Sequence, residues 1–157
     1  MTENNDQDIS IEDGEYEDVP ESEMNIFADK TETQIRTICE KFDKKKIIVD
    51  PEFQRFYVWG NKPEIKSRLI ESVLLNIPIP IIYTSEIEDG REEVIDGQQR
   101  ITTFHAFKNN EFKLFGLEML KKLNGKKYNE LPDSYQDRFL DRGITIIKIR
   151  KEGTEKS

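Results

Sequence analysis

Between Val94 and Thr103 the chain passes from an apolar run through Asp96, Gly97, Gln98, Gln99 and Arg100 into Ile101-Thr102-Thr103. A carboxylate, two carboxamides, a guanidinium and two hydroxyls crowd one short stretch, so donors and acceptors are both at hand. Gly97 lets the backbone turn tightly and approach a ligand without a Cβ in the way. A strand, a glycine turn and a helix start, in that order, can cradle phosphate, because amides at a helix N-terminus point at an anion and the helix dipole favours it. In that chemistry Arg100 offers a planar fork to a phosphate. Asp96 holds Mg²⁺ through water, since that ion usually takes one or two carboxylates and completes its shell with phosphate oxygens. Gln98 or Gln99 orients an attacking water, and Thr102 or Thr103 donates to a phosphate oxygen. The same residues also fit a plain polar turn in which Asp96 caps the following helix and Arg100 is solvated. Residue types alone leave both readings open.

A second arginine beside a glutamine, Gln54-Arg55, sits among Phe53, Phe56, Tyr57 and Trp59. Aromatic faces next to a guanidinium can stack a base, which suits a nucleotide or a single strand. Large aromatics also build cores, so only Tyr57 and Trp59 are kept as contact candidates. His105, the sole histidine, falls one turn after Ile101 and reads as a partly buried helix residue rather than a base. That excludes a Ser-His-Asp set and the histidine-rich metal motifs of nucleases. Cys39 is the only cysteine, so an internal disulfide is impossible, and with one histidine it cannot make a zinc site; it reads as a small apolar core residue. There is no Walker-type glycine-rich loop. Lys121, Lys122, Lys126 and Lys127 read as a solvated face, with weak nucleic-acid contact as the sharper alternative.

These residues need elements to position them. Thr31-x-x-Gln34 resembles a capping box ahead of Ile35, Ile38, Cys39 and Phe42, which predicts a first helix over 31–42. Ile47-Ile48-Val49 reads as a short strand ended by Asp50-Pro51. Phe53 to Trp59 is mixed in pattern, with Gln54-Arg55 at the end of a strand. Pro63 and Glu64 open the clearest helix, whose apolar face is Ile65, Leu69, Ile70, Val73 and Leu74. Ile77-Pro78-Ile79-Pro80 is an extended connector into a strand over 81–84. Asp89-Gly90 marks a hairpin tip before a strand over 92–95. A short helix follows the polar cluster to about Lys108. Then come a strand or turn at Phe112–Phe115, a short helix over 117–123, another over 131–139, and a β-branched strand over 144–149. Strands and helices alternate around a hairpin, so the class is a small α+β domain.

At 157 residues one domain is expected, over 26–150, between an arm at 1–25 and a polar tail at 151–157. The net charge of −8 is unevenly divided. Residues 1–33 hold twelve acids against one lysine, net −11, and the remainder carry 23 basic against 20 acidic side chains, net +3. The acidic arm lacks a core-forming period and reads as a disordered, solvating segment, with a mimic of nucleic-acid charge as the alternative. No apolar run approaches the roughly 20 residues of a spanning helix, and the acidic start is unlike a signal peptide, so a cytoplasmic protein without membrane contact is expected.

Three segments together carry a family resemblance: Asp50-Pro51-Glu52-Phe53-Gln54-Arg55-Phe56-Tyr57-Val58-Trp59, Leu69 to Pro80, and Val94 to Phe104. Their order and spacing, over about residues 45–115, resemble the N-terminal domain of GmrSD-type restriction endonucleases, with its DGQQR motif and ParB/sulfiredoxin-like superfold. The resemblance implies a mixed sheet with packed helices that binds a nucleoside triphosphate and hydrolyses it with Mg²⁺, in a restriction, phage-defence or DNA-processing system. It implies catalytic roles for Asp96, Gln98, Gln99 and Arg100, with Asp96 the metal residue. Nucleotide binding would fall to Gln54, Arg55, Gly97, Thr102 and Thr103. Full-length members continue into a helical region and often an HNH-type nuclease domain, so a nuclease-bearing subunit and DNA are the expected partners. This chain ends soon after Ile149 and is expected to lack cutting machinery of its own. Two other readings stand beside this one. A non-catalytic module could bind nucleotide or DNA as a regulatory switch, or a decoy could use its acidic arm against a basic partner.

Overall fold

The computed structural model describes residues 26–55 and 57–151, except for the side chains of Ile26, Arg55, Val58 and Lys151. The expectations for the arm, for Phe56 and for the tail from 152 onward lie outside the described residues. Five strands form one mixed sheet in the order β1-β5-β3-β4-β2. β5 (Gly143–Lys151), with four isoleucines, pairs antiparallel with β1 (Ile26–Gln34) along its whole length and parallel with β3 (Ile82–Glu86). β3 makes an antiparallel hairpin with β4 (Glu92–Asp96), and β4 takes the short β2 (Ile47–Ile48) in parallel. Asp89 and Gly90 both have positive φ at the tip of that hairpin, where an Asp-Gly pair is at ease. Alternation puts Ile82, Thr84, Ile144 and Ile146 on one buried face, while Tyr83, Ser85 and Ile147 on the other are only partly covered. The class is α+β, as the sequence pattern predicts.

Helices α1 (Ile35–Asp43), α3 (Pro63–Leu74), α4 (Gln98–Lys108) and α5 (Asp133–Asp141) enclose the core with the sheet, and α2 (Pro51–Arg55) is a single short turn of helix. Ile35, Ile38, Ile70, Leu74, Ile101, Phe104, Phe107, Phe139 and Ile144 are all fully buried. Cys39 is buried with them, and burial pushes its thiol up to about 12, the behaviour of a small apolar core residue.

The first helix starts later than the capping-box pattern predicts. Thr31 and Gln34 belong to β1, and Gln34 makes no side-chain cap at the start of α1. A cap is worth about 1 kcal/mol, which a nine-residue ladder to β5 outweighs. Gln54 and Arg55 are likewise on α2 rather than at a strand end. Pro51 suits the first helical position, and Asp50 Oδ1 accepts from the Glu52 amide at 2.8 Å.

On α3 the buried face is more polar than the apolar pattern suggests. Ile65 is 38% exposed, while Lys66, Ser67 and Glu71 are buried. These three serve the irregular chain from 112 to 126. Ser67 Oγ accepts from the Phe115 amide at 2.9 Å, and Glu71 Oε2 accepts from the amides of Met119 and Leu120 at 3.1 and 3.0 Å. The Lys66 ammonium lies over the Phe112 ring, 4.4 Å from its centroid, and donates to the Gly60 carbonyl. Burial holds the Lys66 pKa below its ordinary value, against the opposing pull of Glu111. With the amides of Phe115, Met119 and Leu120 taken by α3, and others bonded within the segment, the strand-or-turn expectation at Phe112–Phe115 resolves to no strand, and no full helix forms over 117–123. Only a 3-10 turn at Lys121–Leu123 remains. Removing the carboxylate in Glu71→Ala leaves two amides short of an acceptor, and about 2–3 kcal/mol of stability should be lost. Glu71→Gln, which keeps a carbonyl oxygen, should lose clearly less. Urea midpoints of the two variants check the order.

Candidate functional site

The hairpin delivers the polar cluster through an irregularity. Tyr83 pairs with Asp96 and Thr84 with Val94, so Ile95 is the extra residue of a β-bulge. Without it Asp96 would fall opposite core-facing Ile82. With it Asp96 takes the register of outward-facing Tyr83 and is exposed, as is the bulged Ile95 at 50%. Gln98 braces the bulge, its Nε2 donating to the Ile95 carbonyl at 2.9 Å and to the Val94 carbonyl at 3.4 Å.

Gly97 is the N-cap of α4, with φ +110° and no side chain to cap the helix. The first intrahelical bond runs from the Ile101 amide to the Gly97 carbonyl at 3.1 Å. The amides of Gln98, Gln99 and Arg100 therefore precede it and have no acceptor among the described residues. Asp96 does not cap the helix, so the plain capped-turn reading fails at that point. Donors without acceptors at the positive end of a helix favour an anion.

Arg100 is half-buried beneath this turn. Its Nη2 donates to the Ile81 carbonyl at 3.0 Å, and its buried Nε has no partner among the described residues. Burial lowers its pKa, with Asp96 opposing that shift; a guanidinium stays charged throughout. The group is neither free in solvent nor wholly committed, since one edge is anchored and other donors remain. Thr102 Oγ1 is also buried without a partner among the described residues.

A loop from Tyr57 to Asn61 fastens onto the same helix. Thr103, fully buried, donates to the Gln99 carbonyl at 2.7 Å. Its hydroxyl proton being so used, Tyr57 must donate to Thr103 Oγ1. Burial raises the Tyr57 pKa. The Trp59 amide donates to Gln99 Oε1 at 3.4 Å, which leaves the Gln99 amino group without an acceptor among the described residues. Tyr57, a stacking candidate by its sequence, uses its hydroxyl as a fastening point, which its ring-rich neighbourhood in sequence does not suggest. Thr103 faces inward and Gln54 is exposed on α2. The Arg55 side chain lies outside the described residues. His105 is partly buried as expected, held against Asp43 Oδ1 at 2.6 Å and the Phe42 ring. Among the described residues no group of three His, Cys, Asp or Glu side chains is placed to hold a metal ion, and no helix is long and apolar enough to cross a membrane.

A mixed sheet with packed helices, presenting a glycine-capped helix start at the end of a bulged strand, defines an α+β domain with an anion-receptive turn. The model of the GmrSD restriction endonuclease N-terminal domain matches residues 35–155, and the chain belongs to that family. No curated protein and no solved structure matches it.

Proposed function

We propose that the start of α4 binds the phosphates of a nucleoside triphosphate and, with Mg²⁺, promotes its hydrolysis within a restriction or phage-defence system. The observation that carries this reading is the row of amides at Gln98, Gln99 and Arg100 behind a glycine cap, with the buried Arg100 Nε beside it, all without an acceptor among the described residues. Amides fixed by a helix need no reorganisation to meet a phosphate, and electrostatic preorganisation of this kind supplies much of phosphoryl-transfer catalysis. Asp96, exposed at the strand end, is the one carboxylate of the cluster and suits an ion that takes most of its ligands from phosphate and water. When bound, Mg²⁺ would neutralise charge on the phosphates. Gln99 orients the attacking water, because its Oε1 is held by Trp59 while its amino group stays available. Gln98 braces the bulge, and Thr103 with Tyr57 holds the helix start in place. Thr102 and, from α2, Gln54 and Arg55 complete the nucleotide contacts. The ParB/sulfiredoxin-like superfold belongs to the same proposal, as do a nuclease-bearing subunit and DNA as partners.

The test is phosphate release from each nucleoside triphosphate with Mg²⁺. Wild type should exceed Asp96→Ala and Arg100→Ala by about a hundredfold, the usual scale for losing one preorganised charge-stabilising group. Release equal in all three proteins ends the enzymatic reading. A non-catalytic switch is the second reading, and it is favoured by the use of Gln98 and one edge of Arg100 on backbone carbonyls. A rise in melting temperature with nucleotide but no turnover would select it.

A further inference from the structure

Far along the chain from this turn, a groove of about 420 Å³ opens beside α5. Its floor is apolar: Leu120, Leu123, Pro132 and Tyr135, with Met119 standing 74% exposed at the edge. The floor is pre-shaped, because Glu71 pins the Met119 and Leu120 amides from below. Lys121, Lys122 and Lys126 form the rim, and none of them has an ion-pair partner among the described residues. The nearby Glu118 carboxylate is turned to Arg68, at 3.6 Å. The lysines read as a solvated face in the sequence are therefore the cationic border of an apolar slot. A phosphate backbone would gain nothing from such a floor, whereas an acidic segment with apolar side chains would use both parts.

The chain itself carries that chemistry. Asp8-Ile9-Ser10-Ile11-Glu12-Asp13 places two isoleucines two residues apart, on one face if extended, among three carboxylates. Residues 1–25 hold ten acids and no basic side chain. Residues 14–25 can span up to roughly 40 Å, while a folded body of this size has a radius of gyration of about 14 Å. The tether is thus about as long as the domain is wide, which puts much of the surface within reach of the hexapeptide. We infer that Asp8–Asp13 docks in this groove in cis, the isoleucines on the apolar floor and the carboxylates against the three lysines. Tethering supplies an effective concentration on the order of millimolar, so even a contact too weak to form between separate molecules is populated within one.

Zero-length carbodiimide coupling on the full chain, at a dilution where it is monomeric, tests this. Asp8, Glu12 and Asp13 should join Lys121, Lys122 and Lys126 within monomers. In the double variant Ile9→Ser/Ile11→Ser, with an unchanged melting temperature, those couplings should fall about tenfold. Coupling spread equally onto exposed Lys44, Lys45 and Lys46 would overturn the inference, because charge alone would then explain it. Couplings found only in covalent dimers would give the groove to a second copy and overturn it also. So would groove couplings that survive the serine substitutions.

Discussion

Phe107→Ala is expected to lower the unfolding free energy by about 3–5 kcal/mol, the cost of truncating a well-packed core phenylalanine. Phe107 is fully buried and meets three rings at once: Phe112 at 5.4 Å between centroids, Tyr128 at 5.9 Å and Phe139 at 5.2 Å, the last two edge-on. Edge-on pairs add about 0.5–1.5 kcal/mol to plain burial, so several contacts are lost together. The neighbours cannot readily close the gap. Phe112 is held beneath Lys66, and Phe139 is shared with Phe104 and Tyr128. For a domain of this size such a loss should lower the melting temperature by roughly 10–20 °C. Phe115→Ala is the control: that ring is 55% exposed, and its truncation should change stability by under about 0.5 kcal/mol. Equal shifts in the two variants would mean that this aromatic cluster does not organise the core.

The elements that could be read from the sequence are those whose stability is local. α3 announced itself through Pro63, Glu64 and its helical period, and the β3–β4 hairpin through Asp89-Gly90. β1 could not be read that way. Its residues Ala28 to Gln34 are mostly polar, and what makes them a strand is a partner more than a hundred residues away. The segment from 112 to 126 misled for the converse reason. Its apolar pattern is real, with Phe112, Leu114, Leu117 and Leu123 buried, yet its amides are satisfied by Ser67, Glu71, Asn124 and irregular bonds within the segment rather than by a strand or an α-helix.

At the candidate site the cluster was legible and its wiring was not. A run of Asp, Gly, Gln, Gln and Arg after a strand marks a polar turn on composition alone. Which of those side chains face outward depends on one extra residue in β4, and no residue type signals a bulge at Ile95. Gln98 points back along the strand to the Val94 and Ile95 carbonyls at the bulge. Of the two glutamines given the same expected role, the structure thus leaves Gln99 the one with an unengaged amino group.

Gly97→Ala should combine a stability loss with a loss at the site. At φ +110° an L side chain is strained, by about 1–3 kcal/mol. A Cβ there would also lie 2.8 Å from Ile82 Cγ1 and 3.2 Å from Arg100 Nη2. Ile82 is fully buried in the sheet and cannot step aside, so overpacking adds about 1–3 kcal/mol. The expected total is about 2–6 kcal/mol, read from urea unfolding. Gly143→Ala isolates the geometric cause. Its added Cβ would approach still closer, 2.5 Å from Glu32 Oε1 and 2.7 Å from Glu32 Cγ, but no backbone is met and that exposed side chain can turn away as a whole about its Cα–Cβ bond. Its cost should stay below about 1 kcal/mol, within the range of ordinary surface changes. Relief of the strain at Gly97 can come only by moving the start of α4, and with it the free amides of Gln98, Gln99 and Arg100. Any nucleotide-dependent rise in melting temperature should therefore vanish in Gly97→Ala, measured where the variant is still folded, and persist in Gly143→Ala. A nucleotide response retained by Gly97→Ala would place the phosphates elsewhere on the domain.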